Sequence, residues 1–174
     1  YEIGTGDWSS DVCSSDLGRK AYTHIIQEVT ETRRREEQLK VEAHHDKLTG
    51  GGNRFFFQEK ADELLATGER LIFCYCDLDH LKYVNDTFGH SEGDWYIRHF
   101  AETVQDYIRK GDVFARIGGD EFCIILRNCP VSIARDKVHR VQHEFSSDCG
   151  KPYAMSFSCG IVEVPKAHEE TSPE

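Results

Sequence analysis

The sequence predicts an α/β sandwich of ferredoxin-like type, with helices packed on a largely antiparallel sheet. Three observations carry this prediction. Leu71-Ile-Phe-Cys-Tyr-Cys76 is a short, aromatic-rich apolar run of the kind that forms a buried strand. Two more strand-like runs, 112–116 and 122–126, flank Gly118-Gly119-Asp120-Glu121 and read as a β-hairpin whose turn calls for glycine at positive φ. Helical stretches at about 55–66, 80–87, 92–109 and 132–146 separate these strands from one another and from a last strand at about 153–164.

Taken from its start, the chain opens on a segment unlike evolved protein. Asp7-Trp-Ser-Ser-Asp-Val-Cys-Ser-Ser-Asp-Leu17 resembles the translation of a widely used short-read sequencing adapter, and Tyr1-Glu-Ile3 fits the bases before its sample index. Residues 1–17 are therefore expected to be an artefactual adapter-derived segment and are set aside. Lys20-Ala-Tyr-Thr-His-Ile-Ile-Gln-Glu-Val29 alternates in the manner of a strand. A charged helical stretch follows from Thr30, the expected N-cap, with Glu31 in its first turn. Strand, Glu-Val-Thr and charged helix together resemble the end of a PAS sensor domain (18–29) and its helical linker (30–45).

Composition narrows the function. The 174 residues carry a formal charge of −10, which becomes −6 without the four acids of the first 17 residues. A net acidic chain lacks the basic stripe of a phosphate-backbone binder, so no nucleic-acid partner is expected. Mean hydropathy is −0.57, and no apolar run approaches the ~20 residues of a membrane helix. The expectation is a cytoplasmic segment, with any membrane anchor of a full-length protein lying upstream. Seven cysteines occur without a Cys-x-x-Cys, so buried reduced thiols are expected rather than zinc ligands. His139 and His143 lie four apart on a predicted helix, without the glutamate of a metalloprotease motif, and read as exposed helix residues.

The chemistry concentrates at two places. Asp77-Leu-Asp79 puts acids at i and i+2 where a central strand stops, a position suited to a ligand at the sheet edge. Asp120 and Glu121 place adjacent carboxylates on a tight turn, where a hard cation is the natural compensation. Two carboxylates about 4 Å apart repel by roughly 4 kcal/mol at an effective dielectric near 20. That is a large penalty for a domain of ~5–15 kcal/mol stability to keep without a functional return.

Arg116-Ile-Gly-Gly-Asp-Glu-Phe122, with Asp77-Leu-Asp-His-Leu-Lys82, Asn85-Asp-Thr-Phe-Gly-His90, Gly93-Asp94, Asp46-Lys-Leu-Thr-Gly50 and Asn53-Arg54, resembles the GGDEF family of diguanylate cyclases. Ser156-Phe-Ser-Cys-Gly160 is similar to the family's small-residue strand. The resemblance runs from about residue 46 to 165, and the domain is assigned to 46–174. It implies a palm-type βααββαβ core and the joining of two GTP into cyclic di-GMP, with Mg²⁺ or Mn²⁺ as cofactor and a homodimer as the working unit. Asp77 and Asp120 are then metal-binding carboxylates, with the Leu78 carbonyl a third oxygen. For Glu121, metal binding, proton removal and support of the turn all stay open.

The same resemblance assigns Asn85 and Asp94 to guanine. An amide and a carboxylate suit the edges of that base, although each residue also suits a helix end. Backbone N–H groups around His80 and Leu81 are expected to cradle phosphates, with Lys82 adding charge. Arg109-Lys-Gly-Asp112 matches the family's product-inhibition site, where arginine forks onto guanine and aspartate accepts from it.

Two departures stand out. Leu48-Thr-Gly50 is followed by Gly51 and Gly52 where the family has leucine at the first of these positions, predicting a looser loop. The sequence ends at Glu174, before the family's next helix and closing strand, so a truncated gene fragment is expected. The competing reading is a non-catalytic sensor of GTP or cyclic di-GMP; the intact acidic hairpin favours the enzyme.

Overall fold

In the computed structural model, residues 23–35, 43–147 and 150–166 are described. The chain divides into two compact units, Tyr1–Ala43 and His44–Glu174. In the first, residues 23–35 are helical and exposed throughout. This corrects the strand expected at 20–29 over its described part, and it removes Thr30 as an N-cap. The Thr30 hydroxyl donates to the Ile26 carbonyl one turn back, at 2.7 Å. A solvated helix needs only its own backbone bonds, so alternating residues do not force a strand where there is no sheet to join. The expected adapter-derived segment (1–17) lies outside the described residues, as do residues 36–42 of the linker.

The second unit contains α1 (Arg54–Ala66), β1 (Leu71–Leu78), α2 (Leu81–Phe88), α3 (His90–Tyr107), β2 (Val113–Arg116), β3 (Glu121–Arg127), α4 (Val131–Phe145) and β4 (Phe157–Val164). From β1 onward this is the expected βααββαβ order. The four strands lie in the order β2-β3-β1-β4, every neighbouring pair antiparallel. β4 begins four residues later than predicted. The backbone of Ser156 is bonded elsewhere, its N–H donating to the Tyr96 hydroxyl and its carbonyl accepting from Asp79 N–H, each at 3.0 Å.

Period-two alternation assigns the two faces of β1. Ile72, Cys74, Cys76 and Leu78 are buried with Phe100 and Val104 of α3 and with Val141 and Phe145 of α4. At its centre the Phe100 ring lies 4.7 Å from Phe122, 4.9 Å from Phe157 and 5.3 Å from Phe145. On the opposite face Leu71, Val113 and Ile125 pack with Leu64 of α1, joined by Phe56, Phe57 and Phe73. Asn53 caps α1, its side-chain oxygen accepting from the N–H groups of Phe55 and Phe56. Among the described residues of this unit, the second face is covered at one end only. Along β1 its residues pass from Leu71, fully buried, to Tyr75, 45% exposed. The uncovered end is where Asp77 emerges.

The loop 46–52 is not loose. Asp46 N–H donates to Gly51 O and Gly50 N–H to Asp46 O, while Gly52 exchanges backbone bonds with Phe114 and Arg116 of β2. A Cβ on Gly51 would lie 3.0 Å from the Phe114 ring, and one on Gly52 only 2.1 Å from Phe56. Both positions are occupied by neighbouring aromatic rings, which corrects the looseness expected from Gly51.

Candidate active site

The acidic cluster forms where β1 and the β2–β3 turn end together. Asp77 and Glu121 are directly opposed in the antiparallel register, and Leu78 N–H donates to Asp120 O at 3.0 Å. Asp77, Leu78, Asp120 and Glu121 are thus brought together at one end of the sheet, with Asp77 and Glu121 on its open face and the Leu78 side chain in the core behind them. Burial, then the charges of Asp120, Glu121 and Asp79, raise the Asp77 pKa above its ordinary value. Asp79 is differently engaged: its carboxylate accepts from Ser156 at 2.7 Å and Ser158 at 3.0 Å, anchoring β4 to the end of β1.

The turn glycines do not serve as predicted. Neither Gly118 nor Gly119 has positive φ. The turn is closed by backbone bonds from Ile117 and Gly118 to Glu121 O, and by the Arg116 guanidinium, which donates to the carbonyls of Gly118 (3.0 Å) and Gly119 (2.9 Å). A Cβ on Gly118 would lie 2.5 Å from the Glu121 carboxylate, so glycine there leaves room for that side chain. Arg116 also meets Asp46 at 3.3 Å. Burial opposes ionisation of Asp46, but hydrogen bonds from Thr49 and the Arg116 charge outweigh it and lower the pKa. The segment at 46–50 is therefore the brace behind the acidic turn.

α2 begins at once after the cluster. Its N-cap, His80, sits in the left-handed region at φ 62° and makes no side-chain capping bond. The first-turn N–H groups of such a helix have no intrahelical acceptors. His80, Leu81 and Lys82 thus follow the acids directly, with Lys82 exposed. Asn85 lies at the crossing of α2 and α3, where a Cβ on Gly93 would fall 2.0 Å from its side-chain oxygen. Only glycine lets the Asn85 amide lie this close to α3. Asp94, the next residue, is exposed early in that helix.

Arg109 and Asp112 stand apart from this group. They form a turn at the far end of β2, where the Asp112 carboxylate accepts from the backbone N–H of Arg109 (2.9 Å) and of Arg127 (3.1 Å). The Asp112 N–H is itself bonded to the Arg109 carbonyl at 3.0 Å, so β2 starts at Val113 rather than at 112. The four residues of β2 put the pair roughly 13 Å along the strand from the acidic turn.

Tyr75 was missed by sequence reasoning. Its hydroxyl donates to the Glu121 carboxylate, and that bond pushes the phenol pKa up to about 12. The signal was present, since a residue at i−2 from Asp77 shares its face. Tyr75→Phe is expected to leave the thermal midpoint unchanged but to slow any reaction in which the Glu121 carboxylate takes part, because Glu121 loses the bond that orients it. Melting curves beside reaction rates check this, and an unchanged rate removes Tyr75 from the site.

Comparison with known proteins points the same way. The profile of the family described as diguanylate cyclase, GGDEF domain, matches residues 43–173. The probable diguanylate cyclase DgcE of Escherichia coli K12 is 42% identical over 149 residues, 80% of this chain and 13% of that protein. The diguanylate cyclase DgcM of the same organism is 37% identical over 121 residues, 67% of this chain and 30% of that protein. The chain therefore spans less than a third of either relative. The coiled coil and GGDEF domain of DgcB from Caulobacter crescentus, solved in complex with c-di-GMP, superposes with a TM-score of 0.77 at 27% identity, over 85% of this chain and 83% of that one.

Proposed function

The chain belongs to the GGDEF family of diguanylate cyclase domains, and from that premise we propose that it condenses two GTP into cyclic di-GMP, releasing two pyrophosphates, in bacterial second-messenger signalling. The observation that carries this reading is the convergence of Asp77, Asp120 and Glu121 on the uncovered end of the sheet, with the Asp77 pKa raised by burial and by its acidic neighbours.

Crowded carboxylates of this kind suit a divalent cation. Among the described residues no three His, Cys, Asp or Glu side chains form a ready-made cage. That suits Mg²⁺, which is held by one or two carboxylates together with substrate phosphates rather than by an all-protein cage. Asp77, Asp120 and the Leu78 carbonyl are the groups that hold it, and when bound it neutralises phosphate charge and orients the reacting oxygens. The N–H groups that open α2 at His80 and Leu81, together with Lys82, receive the outer phosphates. Asn85 and Asp94 read the guanine, with the Asn85 position set by Gly93. Glu121, aligned by Tyr75, is left to support the turn or to take the proton of the attacking 3′-hydroxyl. Each subunit binds one GTP, and two subunits face each other so that each 3′-hydroxyl attacks the other's α-phosphate; the homodimer is part of the mechanism.

Arg109 and Asp112 are assigned to product binding. Asp112 is already oriented by two backbone N–H groups, and the Arg109 side chain is exposed. Arg109→Ala is expected to leave initial turnover intact and to weaken inhibition by added cyclic di-GMP about tenfold or more, as loss of a bidentate guanine contact does. Initial rates across a cyclic di-GMP titration check this. The function itself is tested by incubating the protein with GTP and Mg²⁺ and resolving the nucleotides by chromatography and mass spectrometry. A cyclic dinucleotide and pyrophosphate are expected; unconsumed GTP overturns the proposal.

A further inference from the structure

On the helix-covered face of the sheet, one residue behind Asp77, lies a pair of thiols that the nucleotide chemistry does not use. Cys76 of β1 and Cys159 of β4 are register partners in the antiparallel ladder. Their sulfurs are 3.4 Å apart, and both cysteines are free. We propose that Cys76 and Cys159 are a modification site: a hydroperoxide converts them to a reversible intramolecular disulfide that clamps β4 to β1.

The ladder supplies the geometry. Directly opposed residues of antiparallel strands have Cα atoms about 4.5 or 5.5 Å apart, depending on which of the two pair types they form. A disulfide accepts Cα separations of about 4.4–6.8 Å, so both pair types fall within its range. Side-chain rotation closes the remaining sulfur–sulfur gap, and neither strand has to slide. Cys74 is nearby but faces Ile161 in the register, which leaves it diagonal to Cys159. Cys76 is the directly opposed partner.

Access distinguishes the two sulfurs. Cys76 has no exposed surface, whereas Cys159 is half-buried. Hydrogen bonds from Cys74 and Cys76 lower the Cys159 pKa against its burial. Cys159 is thus the sulfur that meets the oxidant and Cys76 the one that resolves it.

The chemistry balances with one hydroperoxide. The Cys159 thiolate attacks a peroxide oxygen, the O–O bond breaks, and the departing hydroxide takes a proton and leaves as water. The product is a sulfenic acid on Cys159. The Cys76 sulfur then attacks that sulfur, the S–O bond breaks and the S–S bond forms; the hydroxide and the Cys76 proton leave as a second water. Two thiols have given two electrons, and one hydrogen peroxide has become two waters. A dithiol reverses the bond by exchange.

The test uses the full chain and no nucleotide, so its outcome is independent of the cyclase reading. The protein is exposed to graded hydrogen peroxide, quenched with catalase, denatured, capped with iodoacetamide, digested and mapped by mass spectrometry. The expected result is one linked pair of peptides, carrying Cys76 and Cys159 uncapped, which dithiothreitol separates. Cys159→Ser is expected to abolish the link and Cys123→Ser to preserve it. The proposal is overturned if both thiols stay capped at every peroxide concentration. It is equally overturned if Cys159 passes to sulfinic acid while Cys76 remains capped, or if Cys76 is joined to any other cysteine. The map of the unsubstituted protein decides the matter even if a variant folds badly.

Discussion

Asp120→Asn is expected to lower cyclic di-GMP formation about a thousandfold, the loss of roughly 4 kcal/mol of transition-state stabilisation that follows from the cation-holding role proposed for this carboxylate. The same substitution is expected to raise, not lower, the thermal midpoint of the protein in EDTA. Asp120 is one of the charges that hold the Asp77 pKa up, so neutralising it relieves repulsion in the folded state alone. The gain stays below about 1 kcal/mol because solvent screens carboxylates at such an open site. The pH dependence follows from the direction of the Asp77 shift. A carboxyl whose folded pKa lies above its ordinary 3.8 keeps its proton in the native state after the unfolded chain has lost it. Its contribution to stability is therefore fully present below 3.8 and declines as pH rises through the raised folded value. Melts of parent and variant across that interval, in EDTA, should diverge as pH rises, with the variant the more stable. Parallel curves would show that Asp120 does not crowd Asp77, and an active variant would remove Asp120 from the catalytic machinery.

Phe100→Ala is expected to destabilise the domain by about 3–5 kcal/mol, the usual loss when a buried phenylalanine is truncated. Phe100 is fully buried and meets Phe122, Phe145 and Phe157, so the cavity opens at the junction of three elements. Rigid rings from two strands and a helix cannot collapse together into such a space. Against an ordinary stability of ~5–15 kcal/mol, that is about a fifth or more of the total. The consequence reaches the site, since Phe122 follows Glu121 on β3 and Phe157 precedes Ser158, which bonds Asp79. Urea unfolding with a two-state fit checks the magnitude, and a loss below about 2 kcal/mol would show that the neighbouring rings repack.

Most of the fold was legible from residue order. Apolar runs, their spacing and the turn residues located every element of the second unit within a few positions, because each element buries one face of its own periodicity. The misses share a cause. Residues 20–29 alternate like a strand, but their described part is an exposed helix, where no sheet rewards alternation. Residues 153–156 were read into β4, although the Tyr96 hydroxyl and Asp79 N–H occupy the Ser156 backbone. The turn glycines were assigned to positive φ, whereas the turn is closed by Arg116 and needs space for Glu121. In each case the surroundings of the segment, rather than its own pattern, decided the outcome.

The sequence by itself determined which chemical groups the protein owns and which of them share a strand face. Spacing of two links Tyr75 to Asp77, and adjacency links Asp120 to Glu121, whatever surrounds them. Only the tertiary structure decided which face of the sheet stays open, because that depends on how far α1 reaches along β1 before its apolar residues end. It likewise decided that Cys76 meets Cys159 and that Gly93 admits Asn85. Those pairings cross 83 and eight residues of chain, and their register is set by packing that no local pattern encodes.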